Sequence, residues 1–181
     1  FFEQLRIKAH SGKYIAGVMR FSRRLALIIL IAAASAWWFY AKLEVTSVHV
    51  PFVGEFELGI FFPIFFIFVM VATFSGGVID GIDGLAGGVM AAAFSAYAGI
   101  AFFQNQLDLA TFAAVIVGAI LAFLWFNIPP ARFYMGESGM MGLSTTLTVI
   151  AFLTDSVLVL PIIALPLVIA AGSSALQLAS K

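Results

Sequence analysis

Cysteine is absent from this 181-residue chain, which excludes disulfides and thiolate metal sites. Charge is scarce as well: 10% of residues are charged and 63% are hydrophobic, whereas a soluble domain carries roughly 25% and 45–50%. With a mean hydropathy of +1.12, the composition excludes an ordinary water-soluble domain. The net charge is zero, and no nucleic-acid partner is expected. Only two histidines occur, and His49 has no second histidine near it in sequence, so it reads as a surface residue and not a metal ligand. The alternating acids and closing glutamate of an EF-hand are missing. No secretory signal is present, because the basic segment up to Arg24 is too long and too interrupted for a signal n-region. No internal repeat or low-complexity tract occurs. The chain opens on Phe1 and stops at Lys181 after an apolar run, and is expected to be a piece of a longer protein.

What the chain has in quantity is long apolar runs. Leu25 to Ala41 is about the shortest run that crosses a hydrocarbon core near 30 Å, and Trp37, Trp38 and Tyr40 crowd its end as an interfacial belt. Leu43 to Glu57 is β-branched around Pro51 and Gly54, the pattern of a short hairpin outside the membrane. Further spans are expected at Leu58 to Ser75, Leu85 to Phe103, Thr111 to Phe126, Met140 to Thr154 and Val157 to Leu178, the last kinked at Pro161 and Pro166. Gly84 and Gly88, in small-xxx-small spacing, are expected to admit a neighbouring helix. The fold class is therefore all-α: one integral-membrane domain over 1–181, a polytopic bundle of about six transmembrane helices with a short extracytoplasmic β-hairpin.

Six crossings put 1–24, 76–84, 127–139 and Lys181 on one side, with eight of the nine Lys and Arg residues; only Lys42 is opposite. The positive-inside rule makes that side cytoplasmic. Most charges of the first 24 residues read as a solvated stretch attracted to anionic lipid.

Two polar islands interrupt the apolar pattern. Gly76 to Gly88 holds six glycines in thirteen residues around Asp80 and Asp83. A carboxylate at mid-bilayer depth costs roughly 2.5 to 3.5 kcal/mol, glycine lets a ligand approach the backbone, and two aspartates three apart can offer hard oxygens to a divalent cation. The alternative is a plain glycine-rich turn, since Asp-Gly is a common turn dipeptide. The second island, Asn127 to Gly139, has a double proline that ends the preceding helix and carries Arg132 and Glu137. Brought to one membrane face, three carboxylates, an amide and an arginine over an apolar floor suit a Mg²⁺-bound diphosphate whose acceptor is a lipid. Arg132 reads equally well as an ordinary cytoplasmic anchor.

The run Asp80-Gly81-Ile82-Asp83-Gly84-Leu85-Ala86 resembles the Asp-Gly-x-Asp-Gly-Leu-Ala motif of the polyprenyl-phosphate N-acetylhexosamine-1-phosphate transferases. Phe126, Asn127, Pro130, Ala131, Met135, Gly136 and Gly139 are similar to that family's Phe-Asn-x-x-Pro-Ala-x-x-Phe-Met-Gly-Asp-x-Gly loop. The hairpin around Pro51-Phe52 and the ending Leu176 to Lys181 look most like the phospho-N-acetylmuramoyl-pentapeptide transferase branch. The resemblance implies Mg²⁺-dependent transfer of a phospho-N-acetylmuramoyl-pentapeptide from its UDP-linked donor to undecaprenyl phosphate, forming lipid I and releasing UMP, in the bacterial cytoplasmic membrane with the active face cytoplasmic. It implies catalytic roles for Asp80, Asp83 and Glu137, metal contacts from Glu137 and Asp80, and substrate contacts from Asn127, Gly81, Gly84, Leu85, Arg132 and Phe133. A homodimer is compatible with it.

The chain departs from the family pattern in three ways. Gly77 and Phe74 stand where the family has asparagines, and glutamate replaces aspartate at 137. The family's adjacent aspartate pair and histidine-rich loop would fall outside the chain, so the fragment alone is expected to be inactive. The sister branch that transfers N-acetylglucosamine-1-phosphate is the near alternative. A transporter or channel is the alternative of a different class, although its acids should lie at mid-helix depth.

Overall fold

The computed structural model describes residues 21–50, 54–77, 84–129, 131–133 and 135–165, without the side chains of 21, 22, 76, 77 and 137. Within them the chain is a helical membrane bundle with one small hairpin: α1 (Phe21–Lys42), β1 (Ser47–Val50), β2 (Gly54–Glu57), a 3₁₀ turn (Gly59–Phe61), α2 (Phe62–Gly77), α3 (Leu85–Phe103), α4 (Leu107–Asn127), α5 (Glu137–Leu153), a second 3₁₀ turn (Val157–Val159) and α6 (Leu160–Ile163). α1, α3 and α4, of 22, 19 and 21 residues, rise about 28 to 33 Å at 1.5 Å per residue, enough to cross a hydrocarbon core. Three helices are thus long and apolar enough to span a membrane by length and composition, and the apolar segments Gly59–Ser75 and Ser138–Leu153 are shorter. The third span falls where the sequence puts it, at Leu85–Phe103.

The sixth expected span begins differently. Val157–Val159 is a 3₁₀ turn, and Pro161 sits in the first turn of the four-residue α6. There its missing N–H is harmless, so it opens a helix where a kink was expected. Pro166 and the residues after it lie outside the described residues, as do residues 1–20, which carry most of the basic segment.

Half of the α3 span is buried, against 22% of α1 and 17% of α4, which makes α3 the central helix and α4 a peripheral one. α1 packs on α2, α2 on α5, and α3 along α4. Phe152 of α5 inserts among Phe39, Phe62, Phe65 and Phe66, with ring centroids 4.4 to 6.1 Å away, separations typical of favourable aromatic pairs. Buried hydroxyls are satisfied within their own helices: Thr148 donates to the Ser144 carbonyl at 2.9 Å, and Thr154 to Ile150 at 2.9 Å. This is how a polar side chain is tolerated where no water competes.

The hairpin pairs antiparallel, Ser47 opposite Glu57 and Val50 opposite Gly54. It is tied down at one end of the bundle, where the His49 N–H donates to Asp155 Oδ1 at 3.1 Å. Asp155 and Asn105 take positive φ of 50° and 60° in the turns after α5 and α3, a conformation their short polar side chains tolerate. Gln104 Nε2 donates to the Thr154 carbonyl at 2.8 Å, and Tyr97 Oη to that of Ser156 at 3.1 Å. His49 is exposed, as expected, and so are Trp37 and Trp38. The α1, α3 and α5 N-termini and the α2 and α4 C-termini therefore lie at the opposite end, away from the hairpin.

Candidate functional site

At that opposite end Gly84 starts α3. Its φ of +79° is left-handed, a region where any other residue type except Asn or Asp is strained. Its N–H donates to Asn127 Oδ1 at 2.9 Å, and Asn127 Nδ2 donates to the Phe133 carbonyl at 2.9 Å. Asn127 is 4% exposed, so one buried amide satisfies a backbone donor from the first island and a backbone acceptor from the second. The two islands meet through this residue. Leu85 follows, half-buried, and packs on the core.

The second island leaves α4 as its proline dictates. Ile128 is extended (φ −65°, ψ 142°), because the residue before Pro129 is pushed out of the α region. The Arg132 N–H then donates to the Phe126 carbonyl at 2.9 Å, turning the chain back on the helix end. The Phe133 ring stacks on Phe126, with centroids 5.5 Å apart and 25° between planes, and lies 5.7 Å from Phe123. Gly136, extended, caps α5, which Glu137 opens.

α3 and α4 come close just beneath. A Cβ added at Gly87 would lie 2.9 Å from Leu124 Cδ2 and 3.2 Å from Phe123 Cε1, whereas one at Gly88 would meet nothing within 4 Å. The sequence expectation of Gly84 and Gly88 as packing glycines is corrected here: Gly84 is a conformational glycine, Gly88 faces open space, and Gly87 makes the close approach. The register of the helix face decides this, and spacing alone does not reveal it.

Asn127, Gly84, Leu85 and Phe133 are thus brought to one place. Asp80, Gly81 and Asp83 lie outside the described residues, and Glu137 is described in its backbone only. Among the described residues no group of three His, Cys, Asp or Glu could hold a metal ion. Arg132 lines a pocket of about 350 Å³ with Trp125, Phe126, Ile128 and Pro129. Trp125 and Asn127 are two residues apart and so about 200° apart around α4. Trp125, 80% exposed, faces away from α3 while Asn127 faces it. Sequence reading missed the aromatic support under Phe133, for which the spacing of Phe123 and Phe126, three apart and so on one helix face, was the available signal.

Comparison with known proteins bears directly on this arrangement. The family model for glycosyl transferase family 4 matches residues 17–155. The chain belongs to glycosyl transferase family 4. The family 4 match contains both islands and every element described from α1 to α5. Among relatives, the phospho-N-acetylmuramoyl-pentapeptide-transferase of Listeria monocytogenes serotype 4b is 41% identical over 134 residues, 72% of this chain and 41% of the relative. The enzymes of that name from Chloroflexus aurantiacus and Geobacillus thermodenitrificans are each 38% identical, over 72% and 75% of this chain and 36% and 42% of their own lengths. The matched part spans about two-fifths of these curated relatives.

Proposed function

We propose that this chain is the central membrane part of an enzyme that moves a phospho-N-acetylmuramoyl-pentapeptide from a UDP-linked donor to undecaprenyl phosphate, forming lipid I and releasing UMP at the cytoplasmic face. The observation that carries the reading is the pair of hydrogen bonds through Asn127. It draws Gly84, the residue after Asp83, to Phe133, four residues before Glu137. On this reading the carboxylates of both islands share one neighbourhood, and the Asn127 bridge between Gly84 and Phe133, at the end of the bundle that carries the N-termini of α3 and α5, supports it. Helix N-termini favour anions, which suits a diphosphate donor.

Mg²⁺ fits the chemistry of the donor set, which is all oxygen: Glu137 and Asp80 would hold it, with Asp83 beside them. When bound, it would neutralise charge on the phosphate oxygens as the phosphoryl group transfers. The protein's own groups do the positioning. Gly81 and Gly84, lacking a Cβ, would admit a close ligand, Leu85 would close the apolar floor, and the buried Asn127 amide joins Gly84 to Phe133. Phe133, stacked on Phe126, offers an aromatic face at the rim. Arg132 lies on the outward side of α4, and its chemistry is taken up below.

The test is a donor comparison with the full-length protein and undecaprenyl phosphate. A lipid-linked product from UDP-N-acetylmuramoyl-pentapeptide and none from UDP-N-acetylglucosamine is the expected result. Product from the second donor alone would assign the chain to the N-acetylglucosamine-1-phosphate branch.

A further inference from the structure

The pocket on the outer side of the α4 C-terminus combines one guanidinium, Arg132, with the apolar surfaces of Trp125, Phe126, Ile128 and Pro129. Its volume of about 350 Å³ is at the lower end of small-molecule sites, roughly 300 to 1,000 Å³, too small for a nucleotide sugar and large enough for a headgroup. Among the described residues that line it, Arg132 and the Trp125 indole are the polar side chains, with no carboxylate or amide to read a base or a sugar. A cation beside bare apolar surface suits an amphiphile: an anion joined to hydrocarbon. The helix supplies the remainder. Leu121 and Val115, 54% and 67% exposed, continue along α4 toward the bilayer core, and Trp125 sits where aromatic side chains settle at headgroup level.

We propose that this pocket seats the phosphodiester headgroup of an anionic bilayer glycerophospholipid, its acyl chains lying along the exposed face of α4. Arginine is suited to it because its planar fork grips two phosphate oxygens at once, and basic pockets at the cytoplasmic ends of membrane helices take anionic headgroups in this way. The pocket shares Phe126 with the Asn127 centre, since that ring also stacks on Phe133, but Trp125 and Asn127 face opposite sides of α4, and the proposal does not depend on the transfer reading.

Native mass spectrometry of the full-length protein with phosphatidylglycerol or phosphatidylcholine tests it, in the natural form and as Arg132→Gln and Arg132→Lys. The natural protein should retain phosphatidylglycerol preferentially. Arg132→Gln should weaken that lipid about tenfold or more, the usual effect of losing a charge-assisted pair, and leave phosphatidylcholine unchanged. Arg132→Lys, which keeps charge without the fork, should fall between, and it decides alone if the glutamine form does not fold. Unchanged phosphatidylglycerol binding in both variants would overturn the proposal. So would displacement by inorganic phosphate at equal concentration, which would mean a free-anion site, or by equimolar undecaprenyl phosphate, which would mean the acceptor's own pocket.

Discussion

Removing the Asn127 amide should uncouple the two loops measurably. In Asn127→Ala the Gly84 N–H and the Phe133 carbonyl both lose their partner, each at 2.9 Å, and Asn127 is 4% exposed, so water replaces the amide poorly. Each intramolecular bond contributes about 1 kcal/mol net, and an orphaned buried group costs about 1 to 3 kcal/mol. Gly84 is partly exposed, which favours the lower figure, so the pair should destabilise the junction by about 2 kcal/mol. Local opening free energy sets amide exchange, and about 2 kcal/mol corresponds to roughly 30-fold faster exchange at Gly84. Hydrogen exchange read by mass spectrometry on overlapping peptides that start several residues before Gly84, with one spanning the Gln104 turn as control, measures it. Asn127→Asp gives a finer test: a carboxylate still accepts from Gly84 but faces the Phe133 carbonyl with no proton to donate. Gly84 should then stay protected while 131–136 exchanges faster. Exchange at the natural rate at Gly84 in the alanine form would refute the reasoning.

Four further outcomes are expected. Gly84→Ala, forced to a φ of +79°, should lose about 1 to 3 kcal/mol through backbone strain, with Gly84→Asn milder. Gly87→Ala, pressed on Leu124 and Phe123, should lose about 1 to 3 kcal/mol through overpacking and recover in combination with Leu124→Ala; thermal unfolding in detergent reads both series. Cysteines placed at the exposed Ser75 or Ser138 should react with an impermeant thiol reagent only once the inner side is opened, and one at Ser47 should react from outside; reaction of both classes from one side would end the crossing pattern. Glu137→Asp in the full-length enzyme should lower Mg²⁺-supported UMP release, because Mg²⁺ tolerates displaced ligands poorly, with Mn²⁺ restoring part of it; equal or higher Mg²⁺ activity would contradict a loop adapted to glutamate.

Much of the fold was legible because apolar runs and their breakers act locally. Leu85–Phe103 is bounded by Gly84 and Gln104, and both ends announce themselves in sequence. The hairpin between Ser47 and Glu57 follows from β-branched residues around a proline and a glycine. The site was legible in its parts and not in its joints. Asn127 is 43 residues from Gly84, and nothing local says that its amide will bridge two backbones. Gly87, not Gly88, meets α4 because the facing stripe is set by how two helices rotate against each other. Arg132 shares an island with Asn127, yet the turn after Pro129 carries it to the outward pocket. The hairpin's attachment to Asp155 is likewise a long-range contact, 106 residues apart.

The most direct test of one phosphoryl-transfer site built from both islands is the initial rate of UMP release by the full-length enzyme, dependent on undecaprenyl phosphate, in Asp80→Ala, Asp83→Ala and Glu137→Ala. Losing a preorganised charge at the reacting centre costs about 10²-fold or more. Each single variant should fall by at least that factor while its membrane insertion and thermal unfolding stay as in the natural protein. Near-normal UMP release in the triple variant would contradict the account.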